Sequence, residues 1–381
     1  MRLPFIREIA STALLALISS FAFQQVSAQD TIPGYGFAAG GGYGMKIFKV
    51  ESGLYPFVQV YFRTFDQNQM PLVNLTPLNV GVMVKGRVYD PTKGQYTVDS
   101  LLQRQEAIRT VMVIDASASM MGEPFDQARL AIGGFLESKR PQDEVAVLAV
   151  RDTEDGFRMV SNFERDGKAL ARRLANANAT GKSSRIYDTI GAAIQMCGLS
   201  SQGSVSPSPK NYIVSCSIVV FSDGYDQGSA ISRGELNGRI TAMEIPIPIY
   251  SLAYSRLNKK HFRNLEALSK NSFGKYYTVG ETASRMQNIL EEIQHILQTD
   301  YVVTFRAYEK VDGEEHIFKV GLDYPVRSGK YRFEKGRFEA IQLPPVTEEL
   351  KNLYKALNSR IPALDGGNPY YEYEIPNPVS R

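Results

Sequence analysis

The chain has 381 residues, 43% of them hydrophobic, and a formal charge of +3 from 43 basic and 40 acidic side chains. That length holds two or three domains with buried cores. The near-balanced charge, with no basic stripe interleaved with aromatics, argues against a nucleic-acid partner, and two cysteines with three histidines at unrelated spacings argue against a thiolate metal cluster.

In chain order, Arg2 and Arg7 precede an apolar run from Ile9 to Ile18 that continues to Phe23, and Val26, Ser27 and Ala28 are small residues ahead of Gln29. This is the pattern of a cleavable export signal over residues 1–28. A retained membrane anchor is the other reading, although the run is shorter than the ~20 residues a spanning helix needs. No later segment approaches that length, so no membrane span is expected after cleavage. Residues 29–45 read as a glycine-rich linker, because the six glycines from Gly34 to Gly44 follow no strand and form no phosphate-binding fingerprint.

Residues 46–106 carry strand-like segments at 57–62, 80–84 and 95–98, separated by turn-rich stretches, and read as the first part of a β domain. Strand signals return in residues 299–345, at 301–305 and 316–320, with Asp312-Gly313 between them as a hairpin cue. A second hairpin is expected around Lys335-Gly336, joining 331–333 to 337–338. These strands are read as completing the same β-sandwich, with residues 107–298 inserted into it. Residues 346–381 form a helical and Pro/Tyr-rich tail, read as extended from Asn368 onward.

The inserted segment alternates between strand and helix. Apolar runs at 110–114, 144–150, 217–221 and 245–253 read as buried strands. Phe125, Ala128, Ile132 and Phe135 define one helical stripe, and Met286, Ile289, Leu290, Ile293 and Ile296 define another. The fold class expected is α/β: a doubly wound, mostly parallel sheet flanked by a β-sandwich.

Three loops of this segment carry oxygen donors. Asp115, Ser117 and Ser119 follow the strand at 110–114; Ser184 stands just ahead of a helix; Asp223 ends the strand at 217–221 and precedes Gly224. Carboxylates and hydroxyls at the carboxyl ends of parallel strands suit a hard divalent cation, Mg²⁺ first, with Mn²⁺ or Ca²⁺ as alternatives. Ser183, the adjacent hydroxyl, competes with Ser184 for the same role.

The order Asp-x-Ser-x-Ser, a hydroxyl before x-x-Tyr-Asp, and Ser-Asp-Gly resembles the von Willebrand factor type A (VWA) domain and its metal-ion-dependent adhesion site. Ser184 departs from the threonine usual there but keeps the hydroxyl. The resemblance implies a metal held by Asp115, Ser117, Ser119, Ser184 and Asp223, whose remaining coordination is completed by an Asp or Glu of a protein partner. It places Glu123, Arg185, Tyr225 and Asp226 on the rim, as partner-selecting residues or as ordinary solvated loop residues. It also brings Cys197 and Cys216 to the opposite face of the domain, where they form either a disulfide or two buried thiols.

The function expected is therefore metal-dependent protein binding or adhesion by a secreted or periplasmic protein. The alternative is a structural component of a cell-envelope or secretion assembly. An enzyme is not expected. His261, His295 and His316 flank no candidate nucleophile, and neither a Gly-x-Ser-x-Gly elbow nor a His-Glu-x-x-His pair occurs. A metal-dependent hydrolase ranks behind both readings for want of a general base other than Glu123 or Asp226.

Overall fold

The computed structural model describes residues 42–104, 106–201, 213–243, 245–254, 259–280, 285–324, 332–342 and 347–364. The export segment, most of the glycine-rich linker and the Pro/Tyr-rich end of the tail lie outside the described residues. The chain opens with strands β1 (Tyr43–Leu54), β2 (Phe57–Asp66), β3 (Val80–Val84), β4 (Arg87–Val88) and β5 (Tyr96–Ser100). It continues through β6 (Ala107–Asp115), α1 (Glu123–Ser138), β7 (Glu144–Val150), β8 (Phe157–Glu164), α2 (Gly167–Ala175) and α3 (Ile186–Ser201). Next come β9 (Ile213–Ser222), α4 (Arg233–Ala242), β10 (Ile249–Tyr254), α5 (Phe262–Asn271), β11 (Tyr276–Gly280) and α6 (Met286–Gln298). Strands β12 (Tyr301–Arg306), β13 (Glu315–Leu322) and β14 (Arg332–Glu339) and helix α7 (Glu348–Arg360) follow.

The central sheet has six strands in the order β11-β10-β9-β6-β7-β8, parallel except for the antiparallel edge strand β8. Strand β6 reads as a continuous apolar run because both of its faces are covered. Met112 and Ile114 join the core with α1, α2 and α6, while Val111 and Val113 face the core with α3, α4 and α5. Helix α1 forms where Pro124 opens a segment with Glu123 and Asp126 in its first turn. Its buried face is Phe125, Ala128, Ala131, Ile132, Phe135 and Leu136, at helical spacing.

Two four-stranded antiparallel sheets, β1-β2-β12-β5 and β14-β13-β3-β4, enclose a separate core that includes Tyr55, Phe62, Val82, Tyr96, Phe305, Phe318 and Phe338. Each sheet mixes strands from before and after the α/β unit. The chain leaves this sandwich at β5 and returns at β12, and these two strands are paired neighbours, with Val303 opposite Val98. Adjacent exit and entry points are what allow a whole domain to be inserted.

The sequence reading needs four corrections here. The Asp312-Gly313 turn does not close a hairpin: it carries the chain from one sheet to the other, since β12 pairs with β2 and β5 whereas β13 pairs with β14 and β3. Residues 332–339 form one strand instead of a hairpin around Gly336. That glycine stands opposite Phe318, and a Cβ on it would lie 2.2 Å from the Phe318 ring, so its role is to make room for a buried aromatic. The strand expected over 245–253 begins at Ile249, because Pro246 and Pro248 donate no ladder hydrogen bond. Finally, β1 already begins at Tyr43, inside the segment read as linker.

Candidate metal centre at the sheet switch point

Connections leave β6 toward β7 on one side and β9 toward β10 on the other, so the crevice between β6 and β9 is the point where the winding of the sheet reverses. Ligands of open α/β sheets bind at such a point, at the carboxyl ends of the strands. The pairing of Ile114 with Phe221 carries the register one step further and sets Asp115 beside Ser222. The consequence is direct: Ser222 Oγ donates to Asp115 Oδ2 at 2.7 Å.

Ser184 Oγ donates to the same oxygen at 3.2 Å, and the Ser117 N–H donates to Asp115 Oδ1 at 3.0 Å. The Ser117 and Ser119 hydroxyls lie 3.1 Å apart. Ser119 is exposed while Asp115, Ser117, Ser184 and Asp223 are buried. Of the two adjacent serines in the middle loop, Ser184 is the one bonded to Asp115.

Backbone contacts hold the loops together. The Gly181 N–H donates to Ala116 O at 3.0 Å within a bridge that pairs Ser117 with Gly181. The Gln227 N–H donates to Ser184 O at 2.6 Å. Asp223 is oriented by the Tyr225 N–H, 2.9 Å from its Oδ1, and the Gly224 N–H donates to Ser222 Oγ at 2.9 Å. Gly224 sits at φ 75°, and a Cβ there would lie 2.6 Å from His261 O. Only glycine fits that turn.

The two acids of the site feel each other's charge. Burial pushes the Asp115 carboxyl above its usual range, and the neighbouring Asp223 charge pushes in the same direction, against hydrogen bonds from Ser117 and Ser222. Among the described residues neither carboxylate has an ion-pair partner. Two acids with hydroxyls around them, neither paired with a Lys or Arg among the described residues, are donors of the type a hard divalent ion takes. The donor set contains only two carboxylates; among the described residues no group of three or more His, Cys, Asp and Glu side chains is gathered at one point.

The four rim residues divide into two kinds. Glu123 is exposed in the first turn of α1. Tyr225 is 41% exposed, with its ring centroid 4.4 Å from that of His261. Arg185 is engaged within the chain, donating to Asp188 Oδ2 at 2.8 Å and to the carbonyls of Thr153 and Glu154. Asp226 accepts from the Tyr187 N–H at the start of α3 and from the Ser229 hydroxyl. Arg185 and Asp226 thus fasten loops. Ser222 has a role the sequence did not reveal, because that role depends on strand register; its only signal was its place just before Asp223 at a strand end.

At the far end of the same two elements, Cys197 of α3 and Cys216 of β9 form a disulfide. It joins the helix that follows Ser184 to the strand that ends just before Asp223.

Residues 110–225 match the family model described as von Willebrand factor type A domain. The doubly wound sheet around them is a VWA fold. Among solved structures, the chain is similar to the conserved hypothetical protein BatB from Bacteroides thetaiotaomicron, at 13% identity and a TM-score of 0.37, over 50% of this chain and 98% of that one. It is similar to von Willebrand factor type A from Catenulispora acidiphila, at 10% identity and a TM-score of 0.41, over 80% and 75% of the two chains. A third likeness is to the vWF domain of the type V pili tip protein Mfa5 from Porphyromonas gingivalis, at 12% identity and a TM-score of 0.36, over 50% and 96%. No curated protein matches the chain.

Proposed function

We propose that this protein is a non-enzymatic, metal-dependent protein-binding module. Asp115, Ser117, Ser119, Ser184 and Asp223 would hold Mg²⁺, with Mn²⁺ or Ca²⁺ as alternatives, and the partner would supply an Asp or Glu. The observation that carries this reading is the buried Asp115 carboxylate, on which Ser117, Ser184 and Ser222 converge beside a second acid, with no basic counterpart among the described residues. When bound, the ion supplies an electrophilic centre, and two carboxylates with neutral hydroxyls leave it able to accept a further anionic oxygen. The chain's own contribution is orientation. Ser222 and Ser184 fix the Asp115 carboxylate, the Tyr225 N–H fixes Asp223, and the stitched loops hold the hydroxyls in place.

The VWA match points toward protein interaction or adhesion. The N-terminal pattern supports export to the cell envelope or beyond it. Among the described residues no helix is long and apolar enough to cross a membrane.

The test is titration calorimetry of the protein with Mg²⁺ and Mn²⁺, alongside Asp115→Ala. Saturable one-site binding by the wild type that is lost in the variant is the expected result. Equal heats from both proteins would overturn the reading.

A further inference from the structure

We infer that the outer face of the sheet β14-β13-β3-β4 docks on an anionic lipid surface, with Lys319 and Lys335 against its phosphates and Ile317, Phe333 and Val88 among its headgroups. The metal site plays no part in this. Burial alternates along the strands: His316, Phe318 and Val320 of β13, Phe338 of β14, and Val80, Val82 and Val84 of β3 are buried on the inner side. The odd-numbered residues of β13 and β14 therefore point outward, together with Met83 of β3 and its partner Val88 of β4. One registered row crosses all four strands on that face: Val88 opposite Met83, Met83 opposite Lys319, and Lys319 opposite Lys335. Two lysines thus stand side by side, and among the described residues neither has an ion-pair partner.

Like charges directly opposite each other on a sheet repel, and an anion set against both removes that repulsion. Their neighbours on the same face are apolar. Ile317 and Phe333 stand two residues from the lysines along β13 and β14, one on either side of the pair, 52% and 47% exposed, and Val88 on the edge strand is 66% exposed. The Phe333 ring lies across Gly321 of the neighbouring strand, where a Cβ would come within 2.4–2.7 Å of its edge atoms, the nearest at 2.5 Å. Cations and apolar groups are therefore interleaved. A folded protein partner covers a contiguous apolar centre with a polar rim, whereas a bilayer surface takes apolar side chains singly and meets lysines with its phosphates. At the other end of the face Glu315 stands opposite Glu339 and Arg337 pairs with Glu315 at 3.1 Å, so positive charge is concentrated at the lysine row.

The experiment is co-sedimentation of the full chain, at low ionic strength, with vesicles of phosphatidylcholine alone and of phosphatidylcholine mixed equally with phosphatidylglycerol. Preferential binding to the anionic vesicles is expected. Lys319→Gln combined with Lys335→Gln should weaken that binding about 25-fold, at about fivefold per lysine, and Ile317→Ser combined with Val88→Ser about tenfold. Unfolding midpoints of both double variants report whether the sandwich stays built, and the lysine variant is expected to be at least as stable as wild type because a like-charge pair is gone. Equal binding to the two kinds of vesicle, or an anionic preference that survives the lysine substitutions in folded protein, would overturn the inference. So would anionic-vesicle binding indifferent to Ile317 and Val88, since that is contact with charge alone. Lysine-dependent binding of poly-L-glutamate without binding to the anionic vesicles would overturn it as well, and would assign the face to an acidic protein segment.

Discussion

Arg63 of β2 grips Asp300, the last residue before β12, through two parallel hydrogen bonds of 2.8 and 2.5 Å, with both side chains buried. The same residue's carbonyl accepts from the Leu101 N–H at 2.7 Å, so the point where the chain returns to the sandwich is fastened to the point where it leaves. Burial pushes the Asp300 carboxyl up, and the Arg63 charge opposes that rise. Removing one member of such a pair strands a buried charge. Arg63→Met is expected to lower stability by about 3–5 kcal/mol, and Arg63→Met combined with Asp300→Leu by much less. Urea unfolding of the two variants checks this, and equal losses would show that the pair is not coupled.

Ser222 touches Asp115 and the Gly224 N–H, so its effect on a bound ion is exerted through the orientation of Asp115. Ser222→Ala is expected to weaken Mg²⁺ binding by roughly 10–100-fold, the range for residues that orient a ligand, while Ser222→Thr retains the hydroxyl and most of the affinity. Calorimetry on the pair of variants decides between orientation and simple loss of fold. A loss common to both substitutions would point to packing instead.

The disulfide between Cys197 and Cys216 spans a sequence separation of 19. Cross-linking a loop of that size restricts the unfolded chain, and replacing both cysteines by alanine is expected to cost about 2–4 kcal/mol. Guanidinium unfolding should give the double variant the midpoint of the reduced wild type. A variant as stable as the oxidised protein would remove the bond from the stabilising contacts.

Tyr250 of β10 is fully buried, and burial pushes its phenol up to about 12, with the Arg63 charge pulling down and the Asp300 charge pushing up. The folded state therefore holds this proton more tightly than the unfolded chain, whose tyrosines titrate near ~10. Stability from the neutral phenol is complete below pH ~10 and is lost as pH rises toward the folded value. Tyr250→Phe should show a shallower alkaline loss than wild type in unfolding measurements across that window. Parallel curves would place the alkaline sensitivity elsewhere.

Long, two-sided elements were legible in the sequence. The apolar run of β6 and the helical stripes of α1 and α6 lie where periodicity places them, because burial on both faces of the sheet leaves a strong pattern. Edge β8 escaped notice: its sequence, Phe-Arg-Met-Val-Ser-Asn-Phe-Glu, is mostly exposed or half-buried and alternates poorly. Turn chemistry misled at Asp312-Gly313 and at Lys335-Gly336, since a glycine that makes room for Phe318 looks the same in sequence as one that turns the chain.

Local chemistry, then, was the sequence's own contribution: the run into Asp115, the hydroxyls at Ser117, Ser119 and Ser184, and the Asp223-Gly224 ending of a buried strand. The donor types and their loops follow from residue identity and short-range pattern alone. Tertiary structure decided which of these side chains meet. The parallel register of β6 against β9 brings Ser222 onto Asp115 across 107 positions, and pairing of β5 with β12 joins the two halves of the sandwich. Register and sheet order depend on how distant strands bury their faces together, and no local segment encodes that outcome.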